Sequence, residues 1–195
     1  MANKVETFGG EPYVMPPRLR FRAAFAHPDT PYFEMCADTV RGKYRDRFGV
    51  IVPEPGLFLT ARDNTVRSAT FNQTFGAAGL TSAADGALPS EEYLDLPAEW
   101  VCGELVDEPY VDRSRIAEMG PIASFYPGAA LFLMRNLPQI ARSAGYEFLI
   151  ASLTKELQDI AAIAGWEFHI RTTARPVDWG PYYATKPSTG ILRCS

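Results

Sequence analysis

Hydrophobic and polar positions are ordered along the first quarter of the chain in two different ways. In residues 18–27 apolar side chains alternate with three arginines, which is typical of a half-buried strand. In residues 31–47 apolar side chains recur every three or four positions, which predicts a helix with a buried stripe. Residues 1–17 contain three prolines and predict an extended arm before this strand.

The next part of the chain carries weaker signals. Two apolar stretches, 56–61 and 65–71, flank the turn-forming residues 62–64 and predict a β-hairpin. Residues 76–89 are rich in Gly, Ala and Ser and have almost no large apolar side chain. We expect them to form a mobile loop or lid. Residues 90–92, Ser-Glu-Glu, open a short helical turn because acidic residues favour a helix N-terminus.

The second half alternates between strand and helix signals. Its three strands and two helices are predicted at 112–124, 127–144, 146–153, 154–165 and 166–172, in the order strand, helix, strand, helix, strand. This order favours a right-handed parallel crossover at its centre. The whole pattern predicts an α/β (α+β) fold, with a central mixed twisted sheet flanked by helices, and one domain over residues 18–195.

Composition narrows the class of protein. Of the 195 residues 47% are hydrophobic and 22% are charged, which is enough apolar material for a core. The net charge of −4 argues against DNA binding. Three separated cysteines and two histidines lack the spacing of a metal site, so no metal is expected. Without an apolar leader or a membrane-spanning run, we expect a cytoplasmic protein with no stable membrane insertion.

Three motifs in the second half resemble those of the thermostable hemolysin family. Residues 92–95 read EYLD, similar to the family's LE-x-YLD, and residues 115–124 read RIAEMGPIAS, similar to R-x-x-IVE-x-GNLAS. Residues 178–187 read DWGPYYATKP, similar to WG-x-YY-x-x-x-P. The resemblance covers residues 93–187, about half the chain. At positions 121–122 this chain has Pro-Ile where the family has Asn-Leu, so an Asn hydrogen-bond donor is missing.

The resemblance implies a GNAT-like acyltransferase fold, because that family is placed near acyl-homoserine-lactone synthases and N-acyl amino acid synthases. The implied function is an N-acyltransferase that moves an acyl group from an acyl-carrier-protein or acyl-CoA thioester to an amine acceptor, such as an amino acid or a biosynthetic intermediate. No permanently bound cofactor is implied, since the thioester is a co-substrate. The usual Gln/Arg-x-x-Gly-x-Gly/Ala signature for coenzyme A is missing, which favours a phosphopantetheinyl acyl carrier protein as donor and partner.

The same resemblance implies a donor site at the junction of a strand and a helix. In GNAT-like folds the pantetheine arm lies where two central strands splay, and its phosphate meets the start of the next helix. The candidate residues here are Ser124, Phe125, Tyr126, Gly128, Ala129 and Ala130. Free N–H groups at a helix start attract anions, and small residues allow close approach. The alternative is an ordinary helix N-terminus.

Glu118 is the candidate general base. Strict alternation places it on one strand face with Ile116, Gly120, Ile122 and Ser124. Desolvation among aliphatic neighbours would raise its pKa into the range that suits a base for an amine nucleophile. Arg115 points to the other face of an ideal strand, but after a bulge it would neutralise Glu118 or bind a substrate carboxylate. The alternative is a structural ion pair between the two.

Two further groups complete the hypothesis. The acceptor pocket would be walled by Trp179, Tyr182 and Tyr183, whose alternative role is to plug an edge of the core. Docking of an acidic carrier protein would use Arg18, Arg20, Arg22, Lys43 and Arg47, whose alternative role is that of solvated surface charges.

Two other functions remain open from the sequence. One is a GNAT-like protein without catalysis that binds a ligand or acts on membranes, as the word hemolysin suggests. The other is acyl transfer from an aminoacyl-tRNA, which the net charge of −4 does not favour. A hydrolase triad has little support, because neither His27 nor His169 has a nucleophile-elbow context nearby.

Overall fold

The computed structural model describes residues 7–8, 11–12, 20–66, 69–173 and 185–194. In this part of the chain the strands are β1 Thr7–Phe8, β2 Glu11–Pro12, β3 Phe21–Ala26, β4 Leu57–Asp63, β5 Thr74–Ser82, β6 Ile116–Ser124, β7 Phe148–Leu153, β8 His169–Thr173 and β9 Ser188–Arg193. The helices are α1 Pro31–Phe48, α2 Ala98–Gly103, α3 Pro127–Ser143 and α4 Lys155–Ile163. Short 3-10 turns lie at Ala83–Asp85, Pro89–Glu92 and Arg113–Arg115.

Seven of the described strands form one mixed sheet in the order β3-β4-β5-β6-β7-β9-β8. Within it β6 and β7 are parallel and the other neighbours are antiparallel. Helix α1 packs on one face around Phe58, while α3 packs on the other face around Leu59. The predicted mixed sheet flanked by helices is confirmed, and so is the parallel crossover. The predicted boundary between residues 17 and 18 stays a prediction.

Local sequence signals explain where the helices begin and end. Helix α1 has proline at its first position and ends at Gly49, whose φ of +66° allows its N–H to reach the Arg45 carbonyl. The side chain of Thr154 caps α4 by accepting from the Leu157 N–H at 3.4 Å.

Helix α3 contains a proline and still continues for 17 residues. Pro138 has no N–H to offer the carbonyl of Met134, four residues earlier in the helix. The indole N–H of Trp166 donates to that carbonyl at 2.7 Å. A side chain from the loop after α4 therefore replaces the hydrogen bond that Pro138 removes, and it ties the two helices together.

The predicted hairpin has a different second strand. Strand β4 pairs with β5, and the strand predicted at 65–71 is wrong. The buried carboxylate of Asp63 accepts hydrogen bonds from the Thr65 N–H at 2.8 Å and the Thr70 hydroxyl at 2.7 Å. The Asp63 side chain therefore holds both ends of a loop after β4, where a hairpin with a tight turn was predicted.

The predicted lid at 76–89 is also wrong. Its first seven residues belong to β5, which lies between β4 and β6 and is covered by helices. A Cβ on Gly79 would lie 2.6 Å from the Gly120 carbonyl oxygen, and one on Gly76 would lie 3.2 Å from Leu133 Cδ1. Small residues are therefore required by close packing on both faces of the strand, and do not indicate mobility.

Several strands are shorter than predicted. The prediction for 112–124 includes Arg113–Arg115, which form a 3-10 turn before β6 begins. The strand predicted at 166–172 begins only at His169. Within the described residues, no helix has both the length and the apolar character that crossing a membrane requires.

Candidate active site

The parallel strands β6 and β7 separate at their carboxyl ends. Their hydrogen-bonded register runs from Ile116 opposite Phe148 to Met119 opposite Ala151, where the ladder between them ends. Strand β6 continues to Ser124 in contact with β5, whereas β7 continues in contact with β9. The result is an opening in the centre of the sheet.

A β-bulge in β6 lies at the point of separation. Gly79 of β5 faces two residues of β6, Gly120 and Pro121, because the register shifts there. The extra residue reverses the alternation, so Glu118 and Ile122 lie on opposite faces of the sheet. The single face predicted for 116–124 is therefore wrong beyond Met119. The prediction assumed a strict two-residue period along the strand, and the bulge interrupts that period.

A cleft of about 560 Å³ leads into the opening, and we call it the Ser124 cleft. Its walls come from the end of β6, the start of α3, the last turns of α1 and the start of α4. Ser124, Phe125, Tyr126 and Ala130 all line it. Four of the six predicted donor-binding residues therefore meet in one cleft.

The start of α3 is shaped for close approach. The Ser124 hydroxyl donates to the Tyr126 carbonyl at 2.5 Å, which fixes the turn into the helix. A Cβ on Gly128 would lie 2.7 Å from Cε1 of Tyr126, so a larger residue here would displace the Tyr126 ring. In the first turn Pro127 has no N–H and the Ala129 N–H donates to the Tyr126 carbonyl at 2.9 Å, which leaves the Gly128 N–H as the donor for an anion. Ala129 is fully buried and packs beneath this turn.

Cationic side chains of α1 form the opposite wall of the Ser124 cleft. Lys43 donates to the Ser124 carbonyl, and its Nζ lies 5.4 Å from the centre of the Phe125 ring. Burial, and then the charge of Arg47, lower the pKa of Lys43. Arg47 itself contacts Glu156 at 3.3 Å in the first turn of α4. The two cations give the cleft a positive wall beside the helix start.

Glu118 lines a second cavity of about 300 Å³, which we call the Glu118 cavity. Its other walls include Thr81, Tyr93 and Ser152. Tyr44 and Ile122 line both this cavity and the Ser124 cleft. The Ile122 N–H donates to the Tyr44 hydroxyl at 3.3 Å. The two spaces therefore meet at the opening between β6 and β7.

The Glu118 carboxyl group is buried, with 8% of the residue exposed. Burial raises its pKa to about 7, against two hydrogen bonds from Ser90 that favour the charged form. The Ser90 N–H and hydroxyl donate to Oε2 at 2.9 Å and 2.8 Å. The predicted desolvation of Glu118 is thus found, and its pKa lies where a group can both take and release a proton near neutral pH.

A network of ion pairs holds Ser90 in place. The neighbouring Glu91 accepts from Arg113 at 2.8 Å and from the N–H groups of Leu88 and Ala98 at 2.7 Å and 2.9 Å. Arg113 also donates to the carbonyls of Ala83 and Gly86 and to Glu99. These contacts hold the 3-10 turn Pro89–Glu92 in place. The turn thereby positions the Ser90 N–H and hydroxyl, which donate to Glu118.

Arg115 does not join Glu118 in the described structure. It donates to Glu147 and lies 3.8 Å from Glu108, and it is not among the residues that line the Glu118 cavity. The predicted neutralisation of Glu118, or a structural pair between the two, is wrong because Arg115 lies in a turn before β6 and finds carboxylates on its own side.

The other predicted residues divide into three groups. Lys43 and Arg47 line the Ser124 cleft, whereas Arg20 and Arg22 lie at the start of β3 with exposed side chains. The remaining candidates lie outside the described residues, and they are Arg18, Trp179, Tyr182 and Tyr183.

Three residues of the site were not predicted. Ser90 opens a turn that the sequence indicates, but nothing in the sequence points that turn at Glu118. The period of α1 places Tyr44 on the buried face and gives no sign that its hydroxyl meets the opening. Arg113 lies two residues before the motif at 115–124, and its carboxylate partners Glu99 and Glu91 are 14 and 22 residues away in the sequence.

Comparison with known proteins adds a family and a fold. A family model described as thermostable hemolysin matches residues 27–195. The sequence matches none of the curated proteins.

Several solved structures are similar in fold. The AHL synthase LasI has 11% sequence identity and a TM-score of 0.60, with 91% of this chain and 92% of that chain covered. FeeM, an N-acyl amino acid synthase from uncultured soil microbes, has 14% identity and a TM-score of 0.57, with 89% and 91% covered. MesI, a CoA-dependent acyl-homoserine lactone synthase, has 14% identity and a TM-score of 0.52, with 89% of each chain covered. The described chain therefore has a GNAT-like acyltransferase fold.

Proposed function

The chain belongs to the thermostable hemolysin family, and from that premise we propose that it is an N-acyltransferase that moves an acyl group from a thioester to an amine. The observation that carries the proposal is a buried carboxyl group, Glu118, with a pKa of about 7 in a cavity that meets a basic cleft at the splayed strands. The similar synthases with acyl products support the same reaction class.

The Ser124 cleft would hold the donor. The Gly128 N–H at the start of α3, together with Lys43 and Arg47, would suit the phosphate of a pantetheine arm. The small side chain of Ala130, which lines the cleft, leaves room for that approach. The thioester then lies at the opening, with its acyl chain against the apolar residues of the sheet. Coenzyme A and an acyl carrier protein share this arm, so the cleft accommodates either.

Glu118 would activate the acceptor. An amine attacks a thioester carbonyl only after it loses its extra proton, and Glu118 can take that proton because about half of the carboxyl groups are ionised at pH 7. The new C–N bond forms as the C–S bond breaks, and the electron pair of the C–S bond leaves with sulfur. The Tyr44 hydroxyl, where the two cavities meet, would protonate the thiolate and take in return the proton that the new amide nitrogen loses.

The acceptor class is an amine, such as an amino acid or a biosynthetic intermediate. The Glu118 cavity is small, with about 300 Å³ and walls that mix aromatic, hydroxyl and aliphatic groups. An amino acid fits this volume. Trp179, Tyr182 and Tyr183 remain the candidates for its outer wall.

The test is release of free thiol from a panel of acyl-CoA, acyl-phosphopantetheine and acyl-carrier-protein thioesters, with pooled amino acids and polyamines as acceptors. Amine-dependent thiol release with an N-acyl product, identified by mass spectrometry, supports the proposal. A folded protein that binds donors but never releases thiol contradicts it and favours the binding protein without catalysis. Activity only with aminoacyl-tRNA would replace the donor class.

A further inference from the structure

A groove of about 650 Å³ continues from the Glu118 cavity, and we call it the Ile51 groove. It lies between the loop that follows α1 and the segment that follows β5, which face each other through residues 51–53 and 87–92. The residues that line both spaces are Ile51, Val52, Pro53, Ala87 and Pro89. Because they share these walls, the cavity and the groove form one joined space.

The shared walls of the joined space are apolar. All of the side chains that line both parts are aliphatic, and Ile51 is 90% exposed. A hydrocarbon chain laid against them would remove apolar surface from water, which is favourable. The middle of the joined space therefore suits the methylene chain of a ligand.

Two carboxyl groups lie toward opposite ends of the joined space. Glu118 lines only the cavity, and Glu92 lines only the groove. Both donors of Ser90 bind Oε2 of Glu118, and within the described residues no hydrogen bond reaches Oε1. Although only 8% of Glu118 is exposed, Oε1 is not sealed off from solvent. This oxygen is therefore open to a hydrogen-bond donor in the cavity.

The other acids of the walls already have cationic partners outside the joined space. Arg41 donates to Glu54, and Arg113 donates to Glu91 at 2.8 Å. Glu92 is exposed and makes no ion pair with another described residue. In the part of the chain that the structure describes, no lysine, arginine or histidine lines the cavity or the groove. A ligand therefore meets negative charge at both ends.

This arrangement distinguishes among amines of similar size. An ammonium group at each end of a hydrocarbon chain matches a carboxyl group at each end of an apolar space. A carboxylate on the acceptor would instead face Glu118 or Glu92, and like charges repel in a space that holds little water. The volume of the Glu118 cavity admits an amino acid, whereas the charges of the joined space favour a diamine.

The two carboxyl groups are close enough for a short diamine. Ser90, which binds Glu118, and Glu92 belong to the same 3-10 turn and are two residues apart. Two residues of a 3-10 helix advance by about 4 Å, to which the lengths of the side chains are added. A chain of a few methylene groups therefore reaches from one carboxyl group to the other.

We propose that the acceptor is an α,ω-diamine, with its reacting nitrogen at Glu118, its methylene chain along the Ile51 groove and its far ammonium group at Glu92. The role of this diamine as acceptor rests on the proposed function. The reacting ammonium group gives its proton to Glu118, the C–N bond forms as the C–S bond breaks, and the far ammonium group is unchanged. The product is a diamine acylated at one end, and Glu92 is a specificity-determining residue.

The test compares cadaverine, pentylamine and lysine as acceptors with one acyl thioester. Pentylamine lacks the far amine of cadaverine, and lysine is cadaverine with an added carboxylate. We expect kcat/KM for cadaverine to exceed that for pentylamine at least threefold and that for lysine at least tenfold. A higher kcat/KM for lysine or pentylamine than for cadaverine overturns the diamine site and leaves the acyltransferase standing.

Variants of Glu92 provide the decisive arm, because cadaverine also gains from having two reactive ends. Glu92→Gln should lower kcat/KM for cadaverine about threefold, and Glu92→Lys at least tenfold, while both leave kcat/KM for pentylamine unchanged. Glu92 is exposed, so neither change should affect the fold. The matched control is Glu34→Gln, an exposed glutamate of α1 that lines neither space. Equal turnover of cadaverine by the wild type and both Glu92 variants overturns the proposal.

Calorimetry with cadaverine alone separates this site from the reaction. Cadaverine binding that Glu92→Gln weakens, without thiol release from any thioester, would refute the proposed function and leave the diamine site standing. A wild-type protein that neither binds cadaverine nor acylates it overturns the proposal.

Discussion

Glu91 belongs to the 3-10 turn Pro89–Glu92, and Glu118 accepts hydrogen bonds from Ser90 of the same turn. The pKa values of these two glutamates shift in opposite directions. The hydrogen bond from Arg113 is the main cause that lowers the pKa of Glu91 to about 2. Burial is the main cause that raises the pKa of Glu118 to about 7. Glu91 receives a guanidinium group and two backbone N–H groups, whereas the donors to Glu118 within the described residues are the two of Ser90.

The difference separates a structural carboxylate from a reactive one. Glu91 is charged at neutral pH and shapes the turn, since its hydrogen-bond partners all favour the ionised form. Glu118 is held by that turn in a cavity where neither protonation state is strongly preferred at pH 7. Environments that push the pKa values of nearby acids apart are the usual way in which a fold assigns them different roles.

The largest effect is expected from Glu118→Gln. This variant keeps the shape of the side chain and removes the base, so kcat should fall by about 10²- to 10⁴-fold. The measurement is thiol release across pH, with Glu34→Gln on the exposed side of α1 as the control. A folded Glu118→Gln variant with unchanged turnover would rule out Glu118 as the base.

The two glutamates should affect the free energy of unfolding in separate pH ranges. Glu118 binds its proton more tightly in the folded chain, so its contribution is complete below pH 4.5 and is lost as pH rises toward 7, by up to about 3 kcal/mol. The contribution of Glu91 is present above pH 4.5 and is lost as pH falls toward 2.

Urea denaturation from about pH 2 to pH 8 measures both windows. Glu118→Gln should abolish the loss of stability between about pH 4.5 and pH 7 and leave the acid side unchanged. An identical profile for this variant and the wild type would mean that burial does not perturb Glu118.

Glu91→Gln should lower stability more than catalysis, whereas Glu118→Gln should lower catalysis more than stability. It removes the partner of Arg113 and weakens two backbone hydrogen bonds, so we expect a loss of about 2 kcal/mol in the free energy of unfolding at pH 7. The pH–rate profile, measured below the reduced Tm, should keep an acid limb that moves only slightly to lower pH, because the charge of Glu91 is the smallest of the causes that act on the pKa of Glu118. Equal stability of the variant and the wild type would show that the Arg113 network does not hold the turn.

The smallest effect is expected from Ser90→Ala. Loss of one hydroxyl donor to Oε2 raises the pKa of Glu118 further, so the acid limb of kcat/KM should move to higher pH by up to about one unit. Ser114→Ala is the matched control, since its hydroxyl donates to Asp112 away from the cavity. A limb that stays in place would contradict the role of Ser90.

The site could be predicted only in part. Glu118 and the residues that follow Ser124 were accessible, because an acid in an apolar strand and small residues after a strand have local signatures. The contact between Ser90 and Glu118 was not, because it joins residues 28 apart. The pairing of Arg115 with Glu147, 32 residues away, is missed for the same reason.

The fold shows the same division. Local signals located these elements: a helical period for α1, capping residues and closing glycines for α3 and α4, and a continuous apolar run for β7. Strand β5 was hidden, because its small residues have no amphipathic period and resemble those of a loop.

The sequence by itself determined the class of fold, the family and the identity of the buried acid. These depend on patterns and motifs that a short stretch of chain contains. Only the tertiary structure decided that β6 and β7 separate, that a bulge turns Ile122 away from the face of Glu118, and that Ser90 meets the buried Glu118. Register, desolvation and unsatisfied partners are properties of groups brought together from distant parts of the chain.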